Sequence, residues 1–311
     1  MEIDRNNQVW GGIEAGGTKF VCGLADASGR LLDEVRFPTT NPEQTLARAI
    51  EYFRPYSETG RLVAVGIGSF GPIDPNPDSP TYGFITSTPK PGWQQTDFAG
   101  AIARALDTPV AFDTDTNAAG EGEHRWGAAR DLDTFLYLTV GTGIGGGGMA
   151  RGRRLRGLVH PEMGHVIVPR VAGDDFPGIC PFHGDCLEGM VSGPALKARV
   201  GRSAEEVAGD DPLWQIVAHY LSAAIANYVY VLSPQRIILG GGVMRRQELF
   251  ALIRERVGQW LGGYVQSDLV LNRLDDYIVP PALGERAGVL GAVALALGAG
   301  TELRQSRNIR P

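Results

Sequence analysis

The sequence predicts an α/β protein built from two related domains, and three observations carry that reading. A strand, a glycine-rich turn and a second strand occur in "VWGGIEAGGTKFVCGLAD" (9–26), and again in "FLYLTVGTGIGGGGMARGRRL" (135–155). Each copy is followed by strand-like and helix-like segments in alternation, as in mixed α/β folds. The composition, 43% hydrophobic and 21% charged over 311 residues, is that of a globular chain with room for two ordinary domains. The repetition points to an internal duplication with a cleft between the copies.

The elements follow in order. "VWGGIEA" and "KFVCGLAD" read as strands meeting at the first glycine turn, with Cys22 a small core residue inside the second. "LLDEVRFPT" is a third strand. "NPEQTLARAIEYFRPY" is a helix, capped by Asn41 with Pro42 at its first position. "LVAVGIGS" has the unbroken apolar run of a buried strand. Residues 71–93, rich in Pro, Ser and Thr, form a loop long enough to suggest function, and its aromatics favour an ordered one. "FAGAIARAL" (helix) and "PVAFDTD" (strand) close the first half, and "TNAAGEGEHRWG" opens the second as a helix. The second turn, "GTGIGGGG", is expected to lead into a strand "MARGRRL". A long helix (211–232), the strand "RIILGGG", a helix (246–259) and a terminal helix "RAGVLGAVALALG" complete the chain.

Bulk charge excludes some functions. With 29 basic and 35 acidic residues, the net charge of −6 gives no basic footprint for nucleic acid. The run "RGRRLRG" (151–157) reads as a solvated turn. No stretch approaches the roughly 20 apolar residues of a membrane span, and "MEIDRNNQVW" lacks the apolar core of a signal peptide. A cytoplasmic protein is the expectation. Three cysteines, Cys22, Cys180 and Cys186, are too few for a disulfide framework, and the close pair points to a metal.

The glycine turns carry the first chemical signal. Thr18 precedes Lys19, the reverse of the order in a P-loop. "GTGIGG" (141–146) spells G-x-G-x-x-G, but a strand rather than a helix is expected to follow, which argues against a dinucleotide fold. Successive backbone N–H groups in such turns still form an anion-binding concavity. Two turns of this kind, with "LGGG" (239–242) after a third strand, favour nucleotide binding over plain hairpins.

"FDTDTNAAGEGE" (112–123) carries the second. Asp113 and Asp115 alternate along a strand end and are expected to face opposite ways. One caps the following helix; the other enters the cleft, where a carboxylate can take a proton from an attacking hydroxyl. The third is "HPEMGHVIVPRVAGDDFPGICPFHGDCLEG" (160–189). Cys180, His183 and Cys186, with His165 or, on spacing alone, His160, make a closed structural zinc set. Glu162 and Glu188 bracket this cluster; isolated glutamates are usually solvated, but beside a rigid metal loop they could be fixed well enough to hydrogen-bond several sugar hydroxyls.

Taken in order, "GIEAGGTK", "DTDTNAAGEGE", "GTGIGGG", "HPEMGH" and the Cys-His-Cys loop resemble the ROK-family sugar kinases, over nearly the whole chain. "GSFGPIDPNPDSPTYGFITSTPKPGW" and "CPFHGDCLEG" resemble the bacterial fructokinases among them. The resemblance implies a two-domain actin-like ATPase (ribonuclease H-like) fold with the active site in the interdomain cleft. It places residues 1–115 plus about 290–311 in a smaller domain, and 116–289, with a zinc loop at 165–186, in a larger one.

It further implies phosphorylation of the 6-hydroxyl of D-fructose by ATP with Mg²⁺, Asp115 being the general base. Gly71, Thr114, Asp115, Glu162, His165 and Glu188 would bind sugar, with His165 also on zinc. Gly16, Gly17, Thr18, Lys19, Gly141, Thr142 and Gly143 would hold the phosphates, and Gly240, Gly241 and Gly242 the adenosine. A homodimer is implied as well. Three positions depart from many members: Glu14 stands for Asp, which leaves a water-mediated magnesium contact, Thr114 stands for Asn, and the zinc set has two histidines instead of one. Activity on mannose or glucose, or a non-catalytic sugar-binding role, are the alternatives. With only eight residues before Val9, a helix-turn-helix repressor is not expected.

Overall fold

The computed structural model describes residues 8–307, with side chains to residue 299. The chain divides into two compact units. The first runs to Arg130, includes Arg156–His160, and resumes at Glu285; the second is Asp131–Leu155 and Pro161–Gly284. The boundary expected after residue 115 falls one residue into a helix that stays with the first unit, and the second unit ends at Gly284, not 289. Residues 1–7 and 308–311, assigned to the first domain from sequence, lie outside the described residues.

The first unit is built on a sheet of β1 (Val9–Ala15), β2 (Lys19–Ala25), β3 (Leu31–Pro38), β4 (Leu62–Ser69) and β7 (Val110–Thr114), in the order β3-β2-β1-β4-β7. The first three strands form an antiparallel meander; β4 and β7 run parallel to β1. Helix α1 (Pro42–Glu58) starts as the sequence requires, with the Asn41 side chain accepting from the Gln44 N–H and Pro42 in the first turn. The loop after Gly71 contains a short hairpin, β5 (Phe84–Ile85) with β6 (Thr96–Asp97), before α2 (Phe98–Leu106). Wholly buried Trp93 anchors it, packing on Phe20, Phe70 and Phe98 and donating its indole N–H to Thr40 O at 2.8 Å.

Helices α3 (Asp115–Trp126) and α10 (Ala287–Arg307) complete this unit. Here glycine sets the spacing. A Cβ on Gly66 would lie 1.8 Å from Ala292 O, and one on Gly12 2.6 Å from Val289 O, so β1 and β4 meet the α10 backbone directly. Alanine at Gly66 must push the helix off the sheet. Gly66→Ala is expected to cost about 3 kcal/mol or more, read as a lowered denaturant midpoint.

The second unit repeats the plan. Its sheet has the order β10-β9-β8-β11-β12, from β8 (Phe135–Val140), β9 (Ile144–Ala150), β10 (Arg153–Arg154), β11 (Ile237–Gly240) and β12 (Ile278–Val279). As in the first unit, three antiparallel strands are followed by two parallel to the first of them. The duplication read from the sequence is therefore real at the level of strand order. Its core is dominated by α6 (Leu213–Leu232) and α7 (Glu248–Leu261), with α4 (Leu187–Val191), α5 (Gly193–Val200), α8 (Asp268–Leu271) and α9 (Leu274–Tyr277) around them. One expectation fails: glycines 145–148 belong to the strand β9, not the turn. They are there for contact. A Cβ on Gly146 would sit 2.5 Å from Met163 Sδ, and Gly148, at φ +139°, meets Phe135 O. Among the described residues, no helix is long and apolar enough to cross a membrane.

Candidate active site

In the first unit the chemistry gathers where parallel strands end. Ser69 at the end of β4 pairs with Thr114 at the end of β7, so Gly71 and Asp115 leave neighbouring strands. Asp113 is wholly buried, and Asp115 is the first residue of α3. The expected division, in which one aspartate caps the helix, is not what forms. Thr114 is the cap, its hydroxyl accepting from the Asn117 N–H at 3.1 Å. Asp113 instead accepts from Asn117 Nδ2 at 2.9 Å and from the Arg156 guanidinium. The strand ends one residue earlier than the alternation argument assumed, which puts Thr114 at the cap position, where a threonine hydroxyl is also a favoured cap. Asp115, only partly buried, uses one carboxylate oxygen to accept from the Thr116 N–H at 2.8 Å.

The turn between β1 and β2 is tight: Gly16 N–H donates to Lys19 O at 3.0 Å, and the Thr39 hydroxyl donates to Gly16 O at 2.7 Å. Gly17, Thr18 and Lys19 are exposed, and a Cβ on Gly17 would meet no protein atom within 4 Å. Neither packing nor a positive φ requires glycine there, and an exposed glycine turn of this kind is one an anion can approach closely. Glu14 lies behind this turn. Burial raises its carboxyl above the usual range against the pull of Lys19, and it accepts a hydrogen bond from Val289 N–H in the first turn of α10.

In the second unit the turn 141–143 lies beside 240–242: a Cβ on Gly141 would be 3.9 Å from Gly242 N. Gly193 N–H, at the start of α5, donates to Gly141 O at 2.7 Å. Gly242 has open space at its Cβ, and Gly241, at φ +92°, needs to be glycine. Gly240 is packed under Tyr137, and Thr142 is exposed.

The His/Cys cluster forms in the same unit. Ligand atoms of His165, Cys180, His183 and Cys186 all lie within 4.8 Å of one another. Cys180 Sγ is 3.7 Å from His165 Nδ1 and 3.6 Å from His183 Nδ1, and Cys186 Sγ is 3.5 Å from His165 Nδ1. A tetrahedron with metal–sulfur and metal–nitrogen bonds typical of zinc has S···N edges of about 3.6 Å. Two thiolates and two imidazoles at that spacing can hold a metal ion. His160 is not part of the set; its Nε2 accepts from Ile73 N–H at 3.1 Å in the first unit.

Cluster and glutamates are built together. Cys180 and Gly184 exchange backbone hydrogen bonds of 3.1 and 2.9 Å around a knuckle that Gly184 turns at φ +68°. Cys186 precedes α4, which carries Glu188, and Glu188 accepts from Ile144 N–H at 2.8 Å next to Gly143. Glu162 is exposed and precedes a single turn (Met163–His165) ending at His165 of the cluster. Each unit thus brings together its own half of the predicted residues.

Sequence reasoning missed two groups. Arg156, read as part of a solvated run, pairs with buried Asp113. Asp174, between His165 and Cys180, is held by Arg199 in a two-point contact (2.7 and 2.9 Å) and by the Tyr220 hydroxyl at 2.7 Å, with Arg199 stacked on Phe176. Aspartate at 174 and arginine at 199 had no spacing signature to mark them as partners. The Arg199 hydrogen bonds lower the Asp174 carboxyl from its ordinary range to about 2. A depressed carboxylate adds stability above its unfolded pKa and loses it as pH falls through the folded one. The stability advantage of the native protein over Asp174→Asn is therefore expected at neutral pH and to vanish between about pH 4 and pH 2, measured by urea titration at each pH.

Two copies of one sheet topology, with glycine turns at strand ends and a carboxylate opening a helix, define a two-domain protein of the actin-like ATPase fold. Within that class the chain belongs to the ROK family, which residues 10–299 match. It is 43% identical over 289 residues to the fructokinase of Pediococcus pentosaceus (93% of this chain, 98% of that protein). It is 44% identical over 289 residues to the fructokinase of Lactococcus lactis subsp. cremoris (92% and 96%). The crystal structure of a ROK hexokinase from Thermus thermophilus matches with a TM-score of 0.76 at 30% identity, covering 96% of this chain and all of that one.

Proposed function

We propose that this chain is an ATP-dependent fructokinase that phosphorylates the 6-hydroxyl of D-fructose. The observation that carries the reading is the likeness to fructokinases along nearly the whole chain, with Asp115 at the head of α3. Asp115 takes the proton of the sugar hydroxyl as its oxygen attacks the γ-phosphorus. The new O–P bond forms as the bond to the β-phosphate oxygen breaks, leaving ADP and the sugar phosphate. Glu162, His165 and Glu188, with Thr114 and Gly71, orient the sugar. His165 turns Nδ1 to the cysteines, so Nε2 is its atom for a hydroxyl.

The turns at Gly16–Lys19 and Gly141–Gly143 hold phosphates through backbone N–H groups, helped by the Lys19 charge and Thr142 hydroxyl. Gly240–Gly242 lie along the nucleoside. Mg²⁺ accompanying ATP would neutralise charge on the terminal phosphates, with Glu14 the carboxylate nearest in role. Zinc is the ion that fits the cluster, where it would cross-link the sugar-binding loop without entering the chemistry. A cytoplasmic homodimer completes the reading, the dimer being testable by sedimentation.

The experiment is ATP-dependent phosphorylation of fructose, mannose, glucose and N-acetylmannosamine with Mg²⁺ present. Fructose is expected to have the highest kcat/KM. Preference for mannose or glucose would replace fructose with a broader hexokinase, and no turnover by folded, metal-loaded protein would leave a sugar-binding protein.

A further inference from the structure

The segment Arg156–His160 belongs to the first unit although the chain on either side belongs to the second. It is fastened there at both ends. At one end the Arg156 guanidinium meets the Asp113 carboxylate; at the other, His160 Nε2 accepts from Ile73 N–H at 3.1 Å, with the His160 ring against Gly71. Between these pins Leu158 and Val159 are fully or largely exposed. The segment contributes little apolar burial, so polar contacts hold it.

What Arg156 holds is a closed arrangement. Asp113 accepts from Thr114 N–H and Asn117 Nδ2, both at 2.9 Å, while Asn117 N–H donates to the Thr114 hydroxyl at 3.1 Å. These contacts fix the bend from β7 into α3, and Asp115 is the first residue after it. A buried carboxylate stripped of its cation is strongly unfavourable, so the surrounding backbone is expected to shift to let water reach it. Any such shift is carried one peptide further, to the base. Displacement of a reacting group by about 1 Å costs up to a hundredfold in rate.

We infer that Arg156 is a positioning residue for the phosphoryl transfer: by pairing with Asp113 it holds the β7–α3 bend, and with it the Asp115 carboxylate. This rests on the fructokinase reading. The test compares native protein, Asp115→Asn, Arg156→Gln and Arg156→Lys, with kcat expressed per folded molecule and KM measured separately for fructose and ATP. Native turnover that Asp115→Asn abolishes establishes the reading on which the inference stands; an inactive native protein ends both.

Arg156→Gln is then expected to lower kcat by about tenfold or more with KM for ATP within about twofold of native. Arg156→Lys, which keeps the charge but loses the planar fork, should fall between the two. Native kcat in Arg156→Gln, with only a lower melting temperature, would make the pair purely structural and overturn the inference. Should that variant not fold, Arg156→Lys carries the test: a several-fold fall in kcat at native ATP KM supports positioning, and native kcat overturns it.

Discussion

Asp115→Asn is expected to lower kcat for fructose phosphorylation by a factor of about 10² to 10⁴, the usual contribution of a positioned general base. The substitution is nearly isosteric. The carboxylate oxygen that accepts from Thr116 N–H at 2.8 Å has an amide oxygen as its counterpart, and the helix cap belongs to Thr114. Fold and metal content should therefore be native, and the loss should appear in kcat rather than in KM for ATP. An amide accepts hydrogen bonds but does not accept a proton at neutral pH, so the variant separates holding the hydroxyl from deprotonating it. Initial rates by a coupled ADP assay, beside a metal count on the same sample, decide the matter. Native kcat in this variant would remove Asp115 from the mechanism.

The second large effect is expected at the His/Cys cluster. Cys180→Ser replaces a soft thiolate with a hydroxyl that stays protonated, and metal affinity should fall by about a hundredfold or more, beyond what outer-shell changes cause. The consequence reaches the sugar. Cys186 directly precedes the helix that carries Glu188, and His165 ends the turn that begins after Glu162. Without the ion, both segments lose their common anchor. KM for fructose should rise steeply while KM for ATP changes little, because the glycine turns are braced by other contacts such as Gly193 N–H to Gly141 O. Loss of metal by atomic absorption, with fructose kinetics unaltered, would show that the cluster does not shape the sugar site.

Legibility in the sequence followed the strength of local signals. "LVAVGIGS" coincides with β4 because nearly every position is buried on both faces, so an unbroken apolar run marks it. Asn41-Pro42 marks the start of α1 because capping chemistry is local. The His/Cys cluster was legible by residue type, but the choice between His160 and His165 was not. It depends on where the chain crosses between units, and His160 is the last residue on the first unit's side of a crossing. Glycines 145–148 looked like a turn because glycine is read as a breaker; their reason is close contact with side chains and backbone distant in sequence. Asp113 and Arg156 stand 43 positions apart, so neither residue's neighbours announce the pair.

The glycine contacts of β1 and β4 with α10 also bear on how the protein is made. The partner of Gly12 and Gly66 is the last helix among the described residues, beginning at Ala287. At ordinary translation speeds of about 5–20 residues per second, β4 leaves the ribosome roughly 10–45 s before that helix. During this interval the first sheet has one face without its cover, while the second unit, whose residues all precede Glu285, emerges complete. All of the second unit is thus available to fold before the helix that covers the first sheet has been made, and the first unit completes its packing only once that helix arrives.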